Sequence, residues 1–283
     1  MWSLMYRAAQ ESAEALQDCT EKFMNKIVLY TVAFFVFIVA PPAHAEDLEL
    51  AKLFKERNLS GTMVISSLDG ETTYIHNDKR ARTRFVPAST FKIPNTLIAL
   101  EEAAVSDEKE IVIWDGKDKG LPEWNKDQTL QTAFSSSCVW FYQEMAKRVG
   151  KDKYASYLGK MKYGNEKIGP QTASFWLEGD LMISAMGQVA FLKNIFTRAY
   201  PFKSSSYDLL RKHMLVEQTP AYTIRAKTGW AQRVIPQVGW FVGYVESGGK
   251  VWFYATNIEI VKPDDSRFRQ EVTMEALKMK GII

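Results

Sequence analysis

The 283-residue sequence is poor in the residues on which many enzyme classes depend. It has two cysteines, Cys19 and Cys138, and three histidines. With no H-E-x-x-H or H-x-H-x-D run, a zinc centre lacks a ligand set and no metal is expected. There is no G-x-S-x-G, so a Ser-His-Asp hydrolase finds no support, and His76 and His213 are expected to be surface or core residues. No Lys/Arg block occurs. The 36 basic and 33 acidic side chains leave a net charge of +3, so nothing calls for nucleic acid. No apolar run reaches the roughly 20 residues of a membrane span. Repeats, low-complexity tracts and long linkers are also missing, and the length suits one large domain or two small ones.

The longest apolar run, residues 27–40, follows Met24-Asn25-Lys26 and precedes Pro41-Pro42-Ala43-His44-Ala45. A basic start, a short apolar stretch and an A-x-A site read as a cleavable signal peptide over 24–45, with a mature chain from Glu46. Export to the periplasm and no stable membrane anchor after cleavage are the expectations. Residues 1–23 sit awkwardly before such a leader and read as an upstream extension, with translation starting at Met24. Cleavage would remove Cys19, so the exported domain, 46–283, is expected to hold no internal disulfide.

Beyond the leader, residues 47–57 have the spacing of an amphipathic helix. Short β-type runs at 62–67 and 72–76 flank Asp69-Gly70, a hairpin signal. From Ser89 to about Gln218 the pattern is mainly helical, most continuously over 128–148 and 180–196. Strand character returns at 223–226, 238–246 and 250–260, and a closing helix is expected over 265–280. Strands at both ends with helices between imply an α+β fold. Its single antiparallel sheet would be flanked by N- and C-terminal helices, with a second, mostly helical lobe and a ligand cleft between the two.

Three runs carry chemistry. Ser89-Thr90-Phe91-Lys92 is an S-x-x-K, and on a helix its Ser and Lys share one face a turn apart. A helix start adds a dipole that favours an anionic tetrahedral intermediate. Pro94 requires Lys92 to lie in the first turn. Residues 106–109 and 247–250 also fit S-x-x-K, but neither has apolar surroundings able to perturb a lysine. Lys227-Thr228-Gly229 falls on an expected strand, where Lys and Gly face one way and Thr the other. The lysine offers a cation to a substrate carboxylate, and the glycine permits close backbone approach. The amide of Trp230 can join that of Ser89 as an oxyanion donor. Ser135-Ser136-Ser137-Cys138-Val139-Trp140 interrupts a helical pattern with residues that disfavour helix. It is either a Ser-capped helix start or a site in which Ser137 relays a proton to a leaving nitrogen while Val139 covers the lysine.

The ordered set S-T-F-K, S-C-V, Y-G-N (Tyr163-Gly164-Asn165), F-W-L-E-G (Phe175 to Gly179) and K-T-G resembles the class D serine β-lactamases across the expected mature chain. The S-D-N of class A is absent. The resemblance implies hydrolysis of β-lactam antibiotics, and hence resistance, through acylation of Ser89. It also implies a carboxylated Lys92, formed from carbon dioxide or bicarbonate with no other cofactor, as general base. Burial favours the neutral amine that this chemistry requires. Phe91, Val139, Trp176 and Leu177 are candidates for the apolar wall, and the Trp176 indole for a hydrogen bond to the carbamate. Arg269 aligns with the family's carboxylate-binding arginine, whereas Arg267 is expected at the surface. Arg233 matches an arginine of some members; an exposed loop charge is the alternative. Cys138 departs from the usual central residue of the second motif, but a thiol in apolar surroundings stays protonated and packs as a small hydrophobe. A penicillin-binding sensor that acylates without rapid deacylation is the main rival. Small-molecule β-lactams are the expected partners, their spectrum depending on loops 114–124 and 231–237, and the residues assign no oligomeric state.

Overall fold

The computed structural model describes residues 2, 3, 17, 20 and 45–283. Cys19 and the expected leader, apart from Ala45 at its end, lie outside the described residues, and only four positions of the expected upstream extension fall within them. Helix α1 (Leu48–Glu56) opens the domain. Asp47 caps it by accepting from the Leu50 amide at 3.0 Å. Strands β1 (Gly61–Ser67) and β2 (Thr73–His76) form the expected hairpin. Gly70 in its turn adopts φ +83°, a conformation that favours glycine.

The chain then leaves the sheet through α2 (Asp78–Arg82), a 3-10 turn (Ala88–Phe91), α3 (Lys92–Glu101), α4 (Leu130–Ser135), α5 (Val139–Val149), α6 (Lys151–Met161), the single turn α7 (Phe175–Glu178), α8 (Ala185–Phe196) and α9 (Ser204–His213). It returns through β3 (Leu215–Gln218), β4 (Tyr222–Ala231), β5 (Val238–Ser247) and β6 (Lys250–Glu259), and closes with α10 (Phe268–Met279). The six strands are antiparallel in the order β2-β1-β6-β5-β4-β3. The first strand of the chain therefore pairs with the last, and the sheet is assembled from its two ends.

Strand β5 shows why one sheet serves two cores. Trp240, Val242 and Tyr244 face the helical lobe, whereas Phe241 and Val245 face α1 and α10. A strand buried on both faces reads as a continuous apolar run. Leu50, Leu53 and Phe54 of α1 pack with Val272, Ala276 and Leu277 of α10 on the outer face. Each of these Leu, Val and Phe side chains contributes about 1.5–3 kcal/mol when fully buried. Lys280, the C-terminal cap residue of α10, bonds Asp47 at 2.8 Å, joining the acidic start of one helix to the basic end of the other.

The expected α+β architecture is thus the observed one, with boundary corrections. The 128–148 pattern is two helices, broken at Ser136 to Cys138. The helical reading of 180–196 begins only at Ala185, because Ile183 forms a β-bridge with Phe85 and Ser184 caps the helix through the Gly187 amide. The mainly helical stretch ends before β3, a short edge strand that the pattern did not indicate.

Candidate active site

The Ser89 turn is a 3-10 segment running into α3, with Lys92 as the first α-helical residue. Pro94 lies in that first turn, where its missing N–H is not needed. Before it, Ala88 holds φ +48°. Lys92 Nζ donates to Ser89 Oγ at 2.9 Å. Lys92 is 0% exposed. Burial holds its ammonium well below the ordinary lysine range, and repulsion from Lys227 adds to this. Its amine lies 5.1 Å from the Tyr142 ring centre. Phe91 stacks on Trp176 at 5.6 Å and meets Phe175 edge-on at 5.2 Å, so an aromatic cluster backs the turn. Phe91, Trp176 and Leu177 are buried, while Val139 is partly buried and lines the cleft.

The serine-rich segment is the α4–α5 break. Ser135 and Ser136 turn their hydroxyls back to the Thr132 carbonyl, and the Trp124 indole holds the Ser136 carbonyl at 2.9 Å. Ser137 adopts φ +58°, and its buried Oγ has no partner. No serine caps α5; the preceding residue is Cys138, which makes no side-chain cap bond. The helix-start reading is therefore right about the boundary and wrong about the capping. Cys138 is buried, and burial raises its thiol pKa.

Strand β4 brings Lys227, Thr228, Gly229 and Trp230 alongside the turn. Lys227 is buried, pushed down to about 7 by burial first and then by Arg269. The Arg269 guanidinium, itself lowered to about 10 by burial, reaches the Gly229 carbonyl at 3.4 Å. A Cβ on Gly229 would lie 2.9 Å from the Pro87 carbonyl oxygen and 3.0 Å from Thr90 Cγ2. A close approach to the Ser89 turn itself therefore also requires glycine here, which the sequence reading did not foresee.

A cavity of about 660 Å³ opens over these groups. Ser89, Ser137, Val139, Thr228, Gly229, Trp230 and Arg269 line it, with Lys119, Leu121 and Trp124 on one rim and Gln232 and Arg233 on the other. Both loops expected to shape the pocket are therefore present. Arg233 pairs with Glu178. Arg267 is exposed and lies 3.8 Å from Glu271. His76 bonds Glu46, and His213 is half-buried against Phe134. Lys92 and Lys227 lie below the lining. Among the described residues no cluster of His, Cys, Asp and Glu could hold a metal ion.

Sequence reasoning missed Trp140 and Gln143 in the wall and the buried polar side chains Thr90, Asn95, Thr96 and Gln188 around the turn. A glutamine inside the apolar stretch from Ala185 to Leu192 of α8 was the one legible signal for the last.

A serine with a buried lysine 2.9 Å away at a helix start, facing a strand with a cationic residue across a cleft between a helical lobe and an antiparallel sheet, is the arrangement of a penicillin-binding domain. The family described as "Penicillin binding protein transpeptidase domain" matches residues 61–278. "Beta-lactamase OXA-48" of Klebsiella pneumoniae is 38% identical over 92% of this chain and 100% of its own length. A class D β-lactamase crystal structure from Nostoc shares 41% identity, covers 82% of this chain and 98% of that one, and superposes with a TM-score of 0.80. Another, FUS-1 (OXA-85) from Fusobacterium nucleatum subsp. polymorphum, reaches 0.82 at 34% identity, covering 84% and 100%. The chain belongs to the class D β-lactamases.

Proposed function

We propose that this protein hydrolyses the amide of β-lactam antibiotics through a Ser89 acyl-enzyme and thereby confers resistance. The observation that carries the reading is a fully buried Lys92 amine 2.9 Å from the Ser89 hydroxyl, its ammonium form disfavoured by burial. Ser89 Oγ attacks the lactam carbonyl carbon as its proton is withdrawn, and the amides of Ser89 and Trp230 receive the oxyanion. The C–N bond then breaks. The nitrogen leaves with a proton relayed by Ser137, whose unpartnered hydroxyl stands in the cavity wall. Lys227, Thr228 and Arg269 bind the substrate carboxylate. Water attacks the ester, and Ser89 Oγ departs with its proton restored, leaving a carboxylate where the lactam carbonyl stood.

The pocket fits carboxylation of Lys92, because only an uncharged amine reacts with carbon dioxide and full burial disfavours the ammonium. Once carboxylated, this side chain supplies a general base to both half-reactions. Trp176 would hold the added group by its indole N–H. The family relationship and the A-x-A site after residues 27–40 support cleavage before Glu46, export to the periplasm and a mature domain of 46–283.

Steady-state hydrolysis of a β-lactam panel, with and without bicarbonate, tests this reading. Turnover should rise with bicarbonate and a carbon-13 carbamate signal should appear on Lys92. A stable one-to-one adduct without turnover would instead indicate a penicillin-binding sensor, and an active protein without the signal would overturn the role of Lys92.

A further inference from the structure

The nucleophile turn is held from behind by residues that never meet substrate. Gln188 of α8 is fully buried, and its Nε2 donates to Thr90 Oγ1 at 2.8 Å. Thr90, also fully buried, donates that hydroxyl to the Pro87 carbonyl at 2.8 Å. The Thr90 amide reaches the same carbonyl at 3.2 Å. On its other side Thr90 presses against β4, where Cγ2 and the amide would lie 3.0 and 3.2 Å from a Cβ on Gly229. Thr90 is therefore a wedge between α8 and the strand that carries the second oxyanion donor. The carbonyl it holds precedes Ala88, whose positive φ aims the next residue, Ser89, into the cleft. Such a conformation persists only where surrounding contacts over-determine it. Gln188 Oε1 is buried without a hydrogen-bond partner, and the buried Tyr163 hydroxyl faces both Thr90 and Gln188, so the cluster is polar and closed off from solvent.

We propose that Gln188, acting through Thr90, is a positioning residue that sets the Ser89 amide and hydroxyl against strand β4 for acylation. This rests on the Ser89 acyl-enzyme reading. The interaction is buried and short, and losing it removes the donor that fixes the Thr90 hydroxyl on the Pro87 carbonyl beside a strained turn. The acylation step should suffer more than substrate binding, because the oxyanion contact is made only in the transition state.

Pre-steady-state kinetics with nitrocefin on the full chain test this, with thermal unfolding in parallel. Gln188→Met and Thr90→Val should each lower the acylation rate about tenfold or more, with KM changing less. Thr90→Ser, which keeps the hydroxyl, should stay within about threefold of the parent, and the Gln188→Met/Thr90→Val pair should lose no more than the worse single change. Gln188→Glu preserves shape. Its carboxyl can donate to Thr90 only while protonated, so the acylation rate should fall with rising pH more steeply than in the parent. Parent-like acylation in both single variants, an additive double variant, or a parent-like pH profile for Gln188→Glu would overturn the inference. Failure of the parent itself to form a Ser89 adduct by mass spectrometry would instead overturn the mechanism it rests on.

Discussion

An ammonium group is strongly hydrated, and Lys92 has lost all of that water. The unfolded chain binds a proton on this side chain below about 10.4, whereas the folded chain releases it well before that point. Stability therefore rises with pH across the window in which the unfolded chain still holds this proton and the folded chain does not, and levels off above about 10.4, where both are neutral. Lys92→Met should raise stability at pH 7 by about 0.5–2 kcal/mol, a gain that shrinks toward pH 10 and is read by thermal unfolding across pH. The same variant should lose turnover by 10²-fold or more. A stability gain independent of pH would remove the buried amine as its cause. Lys227 works in the opposite sense, since it must be charged to hold a carboxylate. Its pKa of about 7 in the free protein predicts that kcat/KM for penicillins falls as pH rises above that value. A profile flat to pH 9 would mean that Lys227 is not the carboxylate's partner.

At the scale of elements, two junctions make the site. One is the α4–α5 break, where Ser137 occupies left-handed backbone in the cavity wall, its buried hydroxyl unpartnered instead of capping a helix. The other is the crossing of β4 over the Ser89 turn. Gly229→Ala would place a methyl 2.9 Å from the Pro87 carbonyl oxygen and must push the turn away. Acylation should fall by about 10²-fold, the scale expected when reacting groups shift by an ångström. Gly248→Ala is the control. It lies at φ +55° with nothing within 4 Å, so it should cost about 1 kcal/mol of stability and leave the rates unchanged. Equal activity in the two variants would show that the crossing tolerates displacement.

Across the whole molecule, the cleft depends on the sheet being shared by two cores rather than on surface ion pairs. Arg233 and Glu178 are 54% and 47% exposed. Such pairs contribute about 0–1 kcal/mol. Arg233→Ala should therefore shift the melting temperature by no more than about 2–4 °C, measurable by calorimetry. A larger shift would show that the two rims act as one cooperative unit. Strands β1 and β6 close the sheet from opposite ends of the domain, so the β4 edge of the site depends on contacts far apart in sequence.

The residues by themselves picked out the Ser89–Lys92 pair, the strand with its cation, the hairpin and the α+β order. These are local facts: a spacing of three places two side chains on one helical face, and a spacing of two places them on one strand face. They also marked the serine run as unfavourable for helix, leaving a helix start and a site as alternatives. What they could not supply was the direction of Ser137, the reason for Gly229, the missed strand β3, or the tie from Gln188 through Thr90 to the nucleophile turn. Each of these depends on backbone segments brought together from distant parts of the chain. Sequence periodicity reports which side of an element is buried, and only the assembled structure decides what lies against it.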